Sequence, residues 1–162
     1  MAELSPEVKI RPLVEADLPR VNEIDRMLFG EQRVPTWPFS FEIYWKVHRP
    51  QLSLVAEVSG RVVGFIVGTI VEEGHSQSVL DLRHGIDRPT HHRLVGWMDM
   101  IGIDPETQRK GVGQSLVNAF SAECKRLGAS AKGVAREGDA RLRQFLSAAG
   151  FKPTDLVEYQ KD

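Results

Sequence analysis

The sequence predicts a mixed α/β fold with antiparallel strands in its first half and strand-helix-strand units in its second. Three observations carry this reading. The Val- and Ile-rich runs Leu52 to Val58 and Arg61 to Val71 are separated only by Ser59-Gly60, a dipeptide suited to a tight hairpin. From Leu94 onward, strand-like runs alternate with stretches of helical periodicity. No linker divides the 162 residues, so one domain over residues 1–162 is expected, long enough to bury a core without a metal or disulfide.

Val8 to Pro12 reads as a short strand, after which Val14, Leu18, Val21, Ile24 and Leu28 recur at helical spacing down to Gly30. Pro35 and Pro38 interrupt the following segment, and Ser40 is placed to cap a helix carrying Phe41, Tyr44, Trp45 and His48 before Pro50 stops it. The hairpin comes next. Glu72 to Arg93 is polar, holds Gly74, Gly85 and Pro89, and reads as a long loop or the distal part of a hairpin. Leu94 to Ile103 is a strand ended by Asp104-Pro105. Gln114 to Leu127 is a helix with Leu116, Phe120, Cys124 and Leu127 on one face. Ala131 to Ala135 is a strand, Asp139 to Ala149 a helix closed by Gly150, and Phe151 to Gln160 a last strand. About four helices therefore flank the sheet.

Charge and composition exclude several classes of function. With 21 Lys and Arg against 22 Asp and Glu, and a formal net charge of -1, no long-range field marks a nucleic-acid binder. No apolar run approaches the roughly 20 residues that span a bilayer, so no membrane partner is expected. The single cysteine, Cys124, closes no internal disulfide, and MAELSPEVKI lacks the apolar stretch of a secretory signal, which makes the cytoplasm the expected location. Four histidines, His75, His84, His91 and His92, share the polar segment without compact ligand spacing, so no metal is expected.

The segment Ile101-Gly102-Ile103-Asp104-Pro105-Glu106-Thr107-Gln108-Arg109-Lys110-Gly111-Val112-Gly113 runs from a strand through a glycine-bearing loop into a helix that starts near Gln114. In such a loop the backbone N–H groups converge and the helix N-terminus adds positive potential, so a diphosphate can be held without a large basic cluster. Spacing excludes a P-loop, because Lys110 precedes Gly111 and Gly113 is followed by Gln114-Ser115. It also argues against a dinucleotide fingerprint, since Gly111-Val112-Gly113 has no third glycine or alanine at the required offset. The plain alternative is a turn.

Gln108-x-x-Gly111-x-Gly113, after a strand ending in Ile103-Asp104-Pro105, resembles the acetyl-coenzyme A motif of the GNAT family of N-acetyltransferases. Ile10-Arg11-Pro12 with Asp17, the Ser59-Gly60 hairpin running into Val63-Gly64-Phe65, and Val134 to Phe151 resemble the family's other segments, so most of the chain is covered. The resemblance implies a GNAT-type mixed sheet with two splayed central parallel strands, Trp97 to Ile103 and Ala131 to Ala135. The gap between them takes the pantetheine arm, which pairs with a free strand edge. It implies acetyl-coenzyme A as co-substrate and an amine acceptor: a peptide N-terminus, a lysine or a small-molecule amine. Homodimerisation is left open.

The same resemblance assigns cofactor contacts to Ile101, Ile103, Gln108, Arg109, Lys110, Gly111, Val112, Gly113, Gln114, Asp139 and Phe145. Asp139 has the alternative role of helix N-cap. Asp99 is the candidate proton acceptor, counted on the same strand face as Trp97, Ile101 and Ile103, with Glu31 a weaker substitute. Many members protonate the departing thiolate with a tyrosine four residues before the Gly-Phe pair, where this chain has Leu146; Tyr159 is a candidate acid, with plain packing its alternative role and solvent the alternative proton source. That departure keeps a non-catalytic acyl-coenzyme A-binding module as the alternative reading. Trp37, Tyr44 and Trp45 are placed to line an acceptor pocket or to pack.

Overall fold

The computed structural model describes residues 7–30, 39–48, 50–73, 93–107 and 111–154. Within them a five-stranded sheet runs in chain order: β1 (Val8–Pro12), β2 (Leu52–Val58), β3 (Arg61–Glu73), β4 (Arg93–Ile103) and β5 (Ser130–Gly133). The first three junctions are antiparallel and the last, β4 with β5, is parallel. Four helices flank the sheet among the described residues: α1 (Leu18–Phe29), α2 (Phe41–His48), α3 (Val112–Arg126) and α4 (Ala140–Ala148).

Period-two alternation divides the sheet into two faces. Leu54 and Ala56 of β2, with Val63 and Ile66 of β3, pack against Leu116, Val117, Phe120 and Cys124 of α3. Val55, Phe65 and Val67 turn the other way, onto Val21 and Ile24 of α1 and Phe41 and Tyr44 of α2. Covered on both faces, β3 is buried continuously from Val62 to Gly68, which is why its sequence is an unbroken apolar run. Each fully buried side chain of this size contributes about 1.5–3 kcal/mol. The hairpin turn stands as read: Ser59 and Gly60 both take positive φ, 50° and 77°.

Several local readings change. The strand β5 ends at Gly133 and not Ala135, and α3 starts at Val112 and not Gln114, leaving Leu127 exposed beyond its end. Two larger shifts stand at the ends of the chain. The helix over Val14 to Leu28 starts only at Leu18, with Pro19 in its first turn. Val14 lies ahead of a 3-10 turn (Glu15–Asp17) and is exposed. Asp17 causes this shift. Its carboxylate takes both terminal nitrogens of Arg11, at 2.7 and 2.9 Å, and the Val14 N–H at 2.9 Å, pinning the end of β1 to the entry of α1. At the other end of the chain, Phe151 to Thr154 form no strand, and the rest of the expected last strand lies outside the described residues. No helix among the described residues is long and apolar enough to cross a membrane.

Candidate active site

Pairing between β4 and β5 covers four positions, from Val95 opposite Ser130 to Met98 opposite Gly133. From there β4 continues through Ile103 with β3 on one edge and, among the described residues, no strand on the other, while the chain leaves β5 irregularly after Gly133. The expected splay is present. Four consecutive residues, Asp99 to Gly102, lie along β4 between the last β5 pair and Ile103, an edge suited to an extended, amide-bearing partner.

A β-bulge sits at the fork. Met98 pairs with Gly68 and Met100 with Val67, so Asp99 is an extra residue with no Cα partner in β3. Met98 packs on the α3 side, Met100 belongs to the α1–α2 cluster, and Ile101 and Ile103 return to the α3 side. Asp99 reaches toward α2. Its Oδ2 accepts from the Tyr44 hydroxyl at 2.7 Å and from the Thr69 hydroxyl at 2.7 Å. The parity count that put Asp99 on the face of Ile101 and Ile103 is therefore corrected, because the bulge shifts every later residue by one step.

Tyr44 is fully buried, with its ring centroid 5.2 Å from that of His48 and 6.2 Å from that of Phe41. Burial first, and then the hydrogen bond to Asp99, push the Tyr44 phenol above its ordinary value, so it remains a proton donor in that bond. α2 is positioned from both sides. Ser40 Oγ accepts from the Ile43 N–H at 3.4 Å, and the buried Asp25 carboxylate of α1 accepts from the Phe41 N–H at 3.1 Å.

At the far end of β4, Asp104 turns the chain. Its N–H donates to Val63 O at 2.8 Å, its Oδ1 accepts from the Glu106 N–H at 2.9 Å, and its Oδ2 accepts from Arg20 of α1. The Arg20 Nε also donates to Val62 O at 3.1 Å. α3 then begins behind Gly111, which has φ 76° and no neighbour within 4 Å of where a Cβ would stand. Among the described residues no side chain caps this helix start, and no acidic residue lies in its first turn. A helix N-terminus with no cap among the described residues, started by a left-handed glycine that presents no side chain, suits a diphosphate, so the residues present fit coenzyme A.

Gly113 has a different reason. A Cβ there would lie 2.7 Å from Ile103 Cδ1 and 3.0 Å from Phe145 Cε2, so the first turn of α3, the end of β4 and α4 meet at this glycine. Ile101, Ile103 and Phe145 are partly buried against the α3-side core. Val112 is buried, and Gln114 donates from Nε2 to Asn118 Oδ1 at 3.0 Å. Asp139 caps α4, accepting from the Leu142 N–H at 2.9 Å. Leu146 is buried and faces Gly133. Gln108, Arg109, Lys110, Tyr159, Glu31, Trp37 and the four histidines of the polar segment lie outside the described residues. Among the described residues no cluster of His, Cys, Asp and Glu is suited to a metal ion, and burial raises the Cys124 thiol above its usual range.

Tyr44 and Thr69 are the partners that counting along the strand missed. Tyr44 lies 55 residues from Asp99 in sequence, and no local pattern signals that approach.

The sheet thus forks between two parallel strands, with a glycine-started helix near the fork and the Asp99 carboxylate at its vertex, an arrangement in keeping with an acyltransferase. Residues 18–151 match the model of the acetyltransferase (GNAT) family, and the chain belongs to that family. No curated protein sequence matches it. Among solved structures, it is similar to the aminoglycoside N-acetyltransferase AAC(6')-Iy in complex with CoA, with TM-score 0.69, 13% identity, and 100% of this chain and 99% of that chain covered. It is also similar to the aminoglycoside 6'-N-acetyltransferase AAC(6')-Ih from Acinetobacter baumannii, with TM-score 0.67, 19% identity, and 96% and 98% covered. A third is meta-AAC0020 from an uncultured soil metagenomic sample, in complex with sisomicin, with TM-score 0.67, 18% identity, and 96% and 95% covered. At these identities the likeness is one of fold.

Proposed function

We propose that the chain transfers an acetyl group from acetyl-coenzyme A to a primary amine by direct attack, with both substrates held together. The observation that carries this reading is the position of Asp99, the first residue beyond the last β4–β5 pair. A carboxylate there stands where an arm paired along the open β4 edge would end.

Acetyl-coenzyme A supplies the activated carbonyl. The chain's own groups do the rest. The N-terminus of α3, with Gly111 and the Gln108 to Lys110 loop, holds the diphosphate, and the backbone of Ile101 and Ile103 aligns the arm. Asp99 takes the proton from the acceptor amine, directly or through one water. Leu146 has no proton to give, which leaves Tyr159 as the candidate donor to the departing thiolate. The neighbours named for aminoglycosides act on amines carried by small molecules, and this supports placing that acceptor class first.

Coenzyme A release is to be followed with kanamycin A, spermidine, a peptide with a free N-terminus and a lysine peptide blocked at its N-terminus. Turnover on one of these, reduced at least tenfold in Asp99→Asn with acetyl-coenzyme A affinity unchanged, is the expected result. Acetyl-coenzyme A binding without release on any amine would overturn the transfer reading. Tyr159→Phe, in the same assay, lowers turnover if the phenol supplies the proton.

A further inference from the structure

We propose that Tyr44 and Thr69 are positioning residues for the transfer: their hydroxyls both occupy Oδ2 of Asp99, and so assign Oδ1 as the oxygen that receives the acceptor's proton. This rests on the reading of Asp99 given above.

The geometry is specific. Both hydroxyls lie 2.7 Å from the same carboxylate oxygen, one rising from α2 and the other from β3. Among the described residues nothing donates to Oδ1. The bulge places Asp99 off the β3 ladder, so the strand alone does not fix its side chain, and two anchors on one oxygen supply that restraint. Tyr44 is suited to the task because its ring is immobilised among Phe41, His48 and the α1–α2 core. Its raised pKa keeps the hydroxyl protonated throughout the working range. Thr69 sits opposite Trp97, and the extra residue in β4 brings Asp99 within its reach. Two donors on one lone-pair-rich oxygen leave the carboxylate a single open direction.

In the transfer, the amine nitrogen bonds to the acetyl carbon as the carbon–sulfur bond breaks. The nitrogen's proton passes to Oδ1 of Asp99 and then to solvent, and coenzyme A leaves as thiolate and takes up a proton. A carboxylate free to rotate would present its oxygens to the amine only part of the time. Turnover therefore depends on the two hydroxyls although neither meets a substrate.

The test uses Tyr44→Phe, Thr69→Val and Thr69→Ser, each also combined with Asp99→Asn, with whichever amine of the panel above gives the fastest release. Tyr44→Phe and Thr69→Val are expected to lower kcat on the order of ten- to hundredfold with acetyl-coenzyme A affinity unchanged. Thr69→Ser restores the rate. In the Asp99→Asn background, Tyr44→Phe and Thr69→Val have no further effect on kcat, which a merely structural role would not produce. Independently of turnover, the 13Cγ resonance of Asp99, identified by its loss in Asp99→Asn, moves in both Tyr44→Phe and Thr69→Val. A stationary resonance, or kcat losses that add to that of Asp99→Asn, would overturn the inference. Full turnover in Asp99→Asn would instead remove the reading of Asp99 itself.

Discussion

Arg20 of α1 and Asp104 at the end of β4 form an ion pair largely withdrawn from water, with side-chain exposures of 16% and 3%. Arg61 approaches the same oxygen at 3.8 Å, from a side chain that is 60% exposed. Losing one member of a buried pair strands the other, so Arg20→Met is expected to cost about 3 kcal/mol. The variant also weakens acetyl-coenzyme A binding, because Asp104 sets the turn that leads into the cofactor loop. Urea unfolding and titration calorimetry measure the two effects. A variant as stable as the parent would show that Arg61 suffices for Asp104.

Gly111 and Gly113 are expected to respond differently to the same substitution. Gly111→Ala meets open space, and its cost comes from a positive φ, on the order of 1 kcal/mol. A larger Gly111→Val variant remains folded and binds acetyl-coenzyme A more weakly. Gly113→Ala instead crowds Ile103 and Phe145 and costs about 1–3 kcal/mol of stability. Thermal melting beside calorimetric titration separates a fold effect from a cofactor effect. Equal melting temperatures for the two alanine variants would contradict the assignment.

Much of this architecture was legible in the sequence because it is local. The Ser59-Gly60 hairpin, the Ser40 and Asp139 caps and the amphipathic α3 each follow from a few neighbouring residues, and only α3 departs from its expected bounds, starting at Val112 and leaving Leu127 exposed beyond its end. The fork itself followed from a resemblance and not from periodicity. What stayed hidden was relational. Strand parity assumes that every residue turns the chain over, and one extra residue at Asp99 breaks that count without leaving a mark in composition. Likewise, the packing role of Gly113 depends on Phe145, more than 30 residues away and on another helix.

Gly96 and Cys124 are coupled through a missing methyl group. A Cβ at Gly96 would collide with Cys124 Sγ and come within 3.3 Å of Ile70 Cδ1. Gly96→Ala is expected to destabilise the protein by about 1–3 kcal/mol. Cys124→Ala opens a small cavity of its own, and the double variant recovers part of the combined loss. Strict additivity in a denaturant cycle would show that the backbone moves to make room.

Acid should loosen the joint between β1 and α1. The Arg11 hydrogen bonds hold the Asp17 carboxyl below its ordinary value, against the opposing effect of burial. A carboxyl depressed in the folded state stabilises it above the unfolded value of about 3.9, and that contribution disappears as pH falls through the folded value. Asp17→Asn is expected to cost about 1.5–3 kcal/mol at pH 7 and to flatten the decline of stability below about pH 4. Unchanged acid unfolding in this variant would assign the decline to other carboxylates.

The two walls of the fork are unequal, and this has a consequence for amide hydrogen exchange. β4 is hydrogen-bonded to β3 over almost its whole length, whereas among the described residues β5 is a four-residue strand that adjoins β4 alone. Local opening takes the less anchored unit first, so the amides of β5 and α4 should exchange through a smaller fluctuation than those of β3 and β4. The aperture is then set from one side. One wall stays fixed while the carboxy-terminal wall breathes against it, and a ligand bridging the two would slow exchange mainly in β5.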